Sequence, residues 1–268
     1  MKKIEKYNQK VLAILGTMAV IGLGSLLIVG AIGLIGSLVT YLTAKPRVDN
    51  AITISPKDST NHVIRDQEIT FRMPQLVDTL NSIYLIPVSQ VNLEQPEEVS
   101  YAPPKFGFSG SRSKLNVERL RYSGDYNNIV VYDQKKERQS IVFDRKANIS
   151  NFEYVSIEGR DYIFIRASCS DSDKNNKLNR QDLASFFVYN IASNQLKEFS
   201  FPQSGLIDFY ITEHPYDIVL QFAKDKDGDG NINGSHEPRY LKRVSLKDEQ
   251  VYDLITKENI QRIQRLID

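Results

Sequence analysis

Leu206-Ile-Asp-Phe-Tyr-Ile211, Asp217-Ile-Val-Leu-Gln-Phe222, Asp225-Lys-Asp-Gly-Asp-Gly-Asn-Ile-Asn-Gly-Ser-His-Glu237, Arg239-Tyr-Leu-Lys-Arg-Val-Ser245 and Gln250-Val-Tyr-Asp-Leu254 follow one another toward the C-terminus. Four of these runs are short and rich in β-branched and aromatic residues, which suits strands. The acidic run joins the second strand to the third. In it Asp225, Asp227 and Asp229 alternate with spacers, so a chain curling about one point aims three carboxylates at a single hard cation. Gly230 sits where such a loop turns sharply, Asn231 offers its backbone carbonyl, and Ile232 is expected to point into the core. Asn233 and Glu237 complete this candidate ligand set.

The same order appears upstream. Ile149-Ser-Asn-Phe-Glu-Tyr-Val155 and Asp161-Tyr-Ile-Phe-Ile-Arg166 precede the acidic run Asp171-Ser-Asp-Lys-Asn-Asn-Lys-Leu-Asn-Arg-Gln-Asp182. Ser185-Phe-Phe-Val-Tyr-Asn190 and Gln195-Leu-Lys-Glu-Phe-Ser200 follow it. Here the candidate ligands are Asp171, Asp173, Asn175, Lys177, Asn179 and Asp182, with Leu178 in the place of Ile232. An Asn/Asp/Gly-rich run is often only a solvated turn. Two copies with matching internal spacing favour a metal, and the oxygen-rich donor set favours calcium, one ion or two.

Both acidic runs resemble the calcium loop of the EF-hand and dockerin class. Asn176 replaces the turning glycine of the first loop, a mild change because Asn tolerates the left-handed conformation. In the second loop His236 holds the twelfth position and Glu237 comes one place late. Asp182 is shorter than the bidentate Glu of that class, which implies weak binding or a share of Mg2+ at the first loop.

A four-stranded repeat of about 50 residues is the signature of a β-propeller blade. Residues 118–255, with Phe186-Phe-Val-Tyr-Asn-Ile-Ala-Ser-Asn-Gln-Leu196 after the first loop, resemble blades of the TolB/WD40-like propeller group. Asn127–Asp133 and Gln139–Asp144 form a hairpin belonging to an earlier unit. Too few blades are visible to close a ring, so the reading is mainly β: an incomplete propeller-like assembly of antiparallel four-stranded sheets that borrows strands from residues 50–117, closes with a partner or stays open. Glu68–Arg72 and Ser82–Val88 supply strand candidates there, and Pro87 predicts that the latter is an edge or a strand end. Residues 93–114 are rich in Pro, Gly and Ser and read as a long loop.

The N-terminus differs sharply. Residues 11–43 are almost wholly apolar and suit one transmembrane helix, since roughly 20 residues span a bilayer. The segment is too long for a signal-peptide core. Lys2, Lys3, Lys6 and Lys10 in residues 1–10 outweigh Lys45 and Arg47 beyond it, which places the N-terminus in the cytoplasm and the rest outside the inner membrane, in the periplasm of a bacterial-type cell. Gly30, Gly33, Gly36 and Ser37 line one side of the helix and favour self-association or a membrane-protein partner. Residues 44–66 read as a linker, 67–255 as the β-rich domain and 256–268 as a short C-terminal helix capped by Thr256, its Ile260, Ile263, Leu266 and Ile267 expected to dock on the domain.

A net charge of +1, from 34 basic and 33 acidic residues, argues against a nucleic-acid partner. Cys169 is the only cysteine, so no intrachain disulfide forms and metal loops are the available staples. His62, His214 and His236 are widely spaced, without a zinc pattern, and Gly107-Phe-Ser-Gly-Ser111 lacks the last glycine of a nucleophile elbow. No catalytic residue is expected. The chain reads as an accessory binding or assembly subunit of a membrane complex, with an anchored hydrolase of glycans or peptides as the alternative.

Overall fold

The computed structural model describes residues 51–54, 67–93, 119–212, 216–232 and 236–268. These belong to one compact unit, Asp49–Asp268. The apolar segment 11–43, residues 1–10, most of the linker, the loop from 94 to 114, His62, His214 and Asn233 lie outside the described residues. Among the described residues no helix is long and apolar enough to cross a membrane.

The chain is mainly β. In order it forms β1 (Ile52–Thr53), β2 (Gln67–Phe71), β3 (Gln75–Asp78), β4 (Ile83–Asn92), β5 (Arg119–Tyr126), β6 (Asn128–Asp133), β7 (Arg138–Ile141) and β8 (Asn148–Ile157). Then come β9 (Arg160–Ser168), β10 (Lys177–Leu178), β11 (Ser185–Asn190), β12 (Gln195–Phe199), β13 (Ser204–Ile211), β14 (Asp217–Lys224), β15 (Arg239–Ser245), β16 (Val251–Asp253) and the helix α1 (Lys257–Gln264).

Three larger sheets arise from this order. One runs β2-β4-β6-β7 with β3 also on β4, the next β12-β11-β9-β8-β5, and the last β13-β14-β15-β16. The last is the four-stranded meander expected from the sequence. The second contains its expected four strands and gains β5, which pairs with β8. The first draws β2, β3 and β4 from residues 67–92, so strands upstream of 118 do join the assembly.

The middle sheet is buried on both faces, and its sequence shows why. Successive side chains of a strand point to opposite faces. On β9, Ile163, Ile165 and Ala167 join Phe152, Tyr154, Phe187 and Tyr189 in a core shared with Leu85, Ile129 and Val131 of the first sheet. Tyr162 and Phe164 face the other way and meet Phe186, Phe209, Leu220 and Phe222 in a core shared with the last sheet. Strands with two buried faces read as continuous apolar runs, as Phe186-Phe-Val-Tyr189 does. Edge-on rings tie the layers: Phe143 meets Phe187 at 5.1 Å across the first interface, and Phe164 meets Phe209 at 6.3 Å across the second.

Two expectations need correction. Strand β4 is not an edge, since it pairs with β2 and β3 on one side and β6 on the other. Pro87 is tolerated because β2 ends beside it: Arg72 N, just past β2, donates to Pro87 O at 2.9 Å, and the return bond that Pro87 cannot make falls at the end of that ladder, before β3 takes over at Gln75↔Leu85. Helix α1 has its Thr256 cap, whose hydroxyl accepts from Asn259 N at 3.3 Å, but it buries no residue, and Ile260 and Ile263 stay 51% and 56% exposed.

Candidate metal centre

The second acidic loop is built by the hairpin that carries it. Strands β14 and β15 pair with Ala223 opposite Arg239, and Lys224 N donates to Pro238 O at 3.0 Å. Extending that register by one more pair sets Asp225 across from Glu237. Counting positions along a loop makes Glu237 late, whereas the ladder makes it the natural partner of Asp225. Asp225 is buried and shapes the turn, accepting from Gly228 N at 2.7 Å and from Gly230 N at 3.0 Å. Gly228 and Gly230 have φ of +77° and +80°, the left-handed region that favours glycine.

One carboxylate oxygen from each of Asp225, Asp227, Asp229 and Glu237 lies within 4.8 Å of all the others. Glu237 Oε2 is shut off from solvent and has no hydrogen-bond partner among the described residues. An oxygen left in that state carries the cost of lost hydration with nothing in return. Like charges at such spacing repel by about 3–4 kcal/mol per pair in surroundings of intermediate polarity. A hard divalent cation at the shared centre reverses both penalties, and four oxygens of this kind suit calcium better than a transition metal. His236, the one nitrogen donor nearby in sequence, is exposed and stands outside the cluster.

The first loop is tighter in its hydrogen bonding. Asp171 accepts from Asn175 N at 3.0 Å and Asn176 N at 2.9 Å through its two oxygens. Asp182, 3% exposed, accepts from Ser172 N at 2.7 Å and Asn179 N at 2.8 Å. Asp171, Asp173 and Asp182 again offer oxygens within 4.8 Å of one another. Burial raises the Asp173 carboxyl above the usual carboxylate range, and the charges of Asp182 and Asp171 push the same way against the Asn175 N–H. Asn176 has φ of +62° and so takes the bend a glycine would take.

The remaining candidates are placed by the same two loops. Asn175 Oδ1 accepts from Lys177 N at 2.8 Å and Asn179 Oδ1 from Gln181 N at 2.7 Å, so both amides shape the loop. Lys177 lies on β10, which pairs with β1, and Leu178 is buried. Asn231 forms an isolated antiparallel bridge with Asp182, which sets the two loops side by side. Ile232 is half-buried, with its side chain against Gly205. The pairing of β1 with the first loop escaped sequence reasoning, because a two-residue strand inside a polar linker carries no periodicity.

A cleft among the described residues lies elsewhere. About 560 Å³ in volume, it is lined by Asp133, Arg138, Arg160, Asp161 and Asn190, among others, around the turns that join β6 to β7, β8 to β9 and β11 to β12. Those turns sit at the end of the sheets opposite the acidic loops, because each acidic loop leaves the far end of its strand. Cys169 packs against the first core, and burial pushes its thiol up to about 11, with Arg145 opposing. Thiolate, the reactive form, is then scarce near neutral pH. Iodoacetamide at pH of about 8 should label the folded protein at least tenfold, roughly, more slowly than the urea-unfolded chain. Equal rates would show an open thiol.

Compared with known families and with curated proteins, the chain matches no family model and no curated sequence.

Proposed function

We propose that this chain is a membrane-anchored, extracytoplasmic β domain that uses calcium as an internal staple and serves as a binding or assembly subunit of a membrane complex. The observation that carries the reading is Glu237 Oε2, a buried oxygen without a partner beside three further carboxylates. The role of the ion is structural. It neutralises crowded carboxylates and fixes the long connection from β14 to β15 in one shape. A chain whose single cysteine forms no internal disulfide draws its cross-link from such an ion.

The wider context fits. Three antiparallel sheets that share two cores, with acidic loops joining the second and third strands of two successive meanders, support the reading of an incomplete propeller-like assembly. The apolar run 11–43 supplies the anchor, and calcium outside the cytosol is abundant enough to fill even weak loops. The cleft at the opposite end is free to meet a partner while the ions hold the other.

Thermal melting of the full chain in mild detergent tests this. A site with a dissociation constant of about 10⁻⁵ M adds about 2.7 kcal/mol at about 1 mM calcium. For a domain of this size that corresponds to a rise of roughly 5–10 °C over the protein in excess EGTA. Magnesium should give a smaller rise. Identical melting in calcium and in EGTA contradicts the staple.

A further inference from the structure

We propose that two copies of this chain pair through the outer face of the first sheet. Leu85, Ile129 and Val131 turn inward, to the core shared with the middle sheet. Side chains alternate along a strand, so the residues between them turn outward. The registers line up Ile86, Val130 and Ile141 in one row across β4, β6 and β7. Tyr84 and Tyr132 form the next row, with ring centroids 6.3 Å apart. On β2, Ile69 and Phe71 carry the apolar surface on to the edge. Every side chain that these registers place on the outer face is uncharged. An antiparallel sheet with one wet face alternates apolar in and polar out, whereas this sheet is apolar on both sides. The outer side is open, with Ile69, Phe71 and Ile141 61%, 60% and 67% exposed.

Charge and area point to a second copy as the occupant. An uncharged face meets its own copy with no like charges opposed, and a two-fold axis makes such a self-complementary contact the commonest form of dimer. The outer face of the last sheet is a poorer match for it. There Tyr210, Val219, Arg243 and Tyr252 share a row, and Arg243 pairs with Asp217 at 3.2 Å. Closing those charges under an apolar sheet strips their water for little return, which disfavours a head-to-tail ring of copies. The strand lengths of the first sheet give a face of roughly 450 Å² in projection. Two such faces remove at least about 900 Å² from water, and side-chain relief carries that past the roughly 1,000 Å² of a specific interface.

The test is analytical ultracentrifugation of the full chain in mild detergent, with the detergent's mass subtracted and every protein measured in one calcium-containing buffer. The wild type should sediment as a dimer that dissociates on dilution. Ile141→Lys and Phe71→Lys each place a charge on a side chain already open in the single chain, so folding should survive, as circular dichroism checks. Each should raise the dissociation constant at least about tenfold, because the dimer buries the new charge unpaired. Tyr210→Lys, on the last sheet and 64% exposed in the same way, should leave the constant unchanged. If one of the two first-sheet variants does not fold, the other decides. A wild type that stays monomeric overturns the proposal and gives the face to another segment of this chain or to a different protein. An unchanged constant in the folded first-sheet variants also overturns it, since the copies then associate elsewhere. Equal weakening by Tyr210→Lys and Ile141→Lys shows a head-to-tail contact and overturns the two-fold pair.

Discussion

In EGTA the Glu237→Gln protein melts above the wild type, and calcium raises its melting temperature by only about half as much as it raises that of the wild type. The difference follows from the state of one atom. Glu237 Oε2 is buried and makes no hydrogen bond, so without a cation its charge is held at a loss beside Asp225, Asp227 and Asp229. A buried polar group left unsatisfied costs about 1–3 kcal/mol, and more when charged. Gln keeps the shape, removes the charge and relieves the repulsion, which stabilises the protein in chelator. The same change deprives calcium of one of four carboxylates. A tenfold loss of affinity, roughly, would halve the stabilisation available at about 1 mM calcium, from about 2.7 to about 1.4 kcal/mol. Thermal melting of both proteins in both buffers measures this. Were Glu237 only a surface residue of a solvated turn, calcium would shift the melting of the two proteins equally.

Gly230→Ala should be the more damaging change, and Gly228→Ala is its control. Both glycines have left-handed φ, +80° and +77°. An L residue there costs about 1–2 kcal/mol. At Gly228 that is the whole expected cost, since an added Cβ meets nothing within 4 Å. At Gly230 the Cβ meets Ser172 O at 2.1 Å, Ser172 C at 2.4 Å and Asp173 N at 2.7 Å. These are backbone atoms of the other loop, which no rotamer change moves aside. The loops must separate, with loss of the Ser172–Gly230 hydrogen bond and the Asp182–Asn231 bridge. A cost of roughly 3 kcal/mol or more is expected by chemical denaturation, in the range of a strained backbone combined with a broken contact. Equal costs for the two variants would mean that the loops do not press on each other in solution.

The strands were legible in the sequence because alternation and composition act locally. The runs Asp161–Arg166, Ser185–Asn190 and Asp217–Phe222 fall within β9, β11 and β14. The acidic clusters were legible for a similar reason: alternating Asp residues in a short loop have few ways to fold, and Asn176 and Gly230 take the bends expected of them. Sequence failed where distant elements decide. Pro87 looks like an edge signal until the break between β2 and β3 is seen to lie beside it. Strand β5 alternates in Arg119-Leu-Arg-Tyr122 but loses the pattern at Ser123-Gly-Asp125, where its register on β8 shifts, and only the ladder shows that β8 is its partner. Glu237 looks misplaced by loop numbering, yet the register of β14 on β15 brings it opposite Asp225. The amphipathic spacing of α1 was correctly read as a helix, but periodicity does not say what covers it, and none of its residues is buried among the described residues.

Bound metal, counted directly, is the closest test of the calcium staple. The purified full chain, equilibrated in detergent against calcium and then passed through a metal-free column, should carry one to two calcium ions per molecule by elemental mass spectrometry. Asp225→Asn combined with Glu237→Gln should lower that number by about one. Calcium at the background of the buffer in the wild-type protein would contradict the account, however well the carboxylates converge.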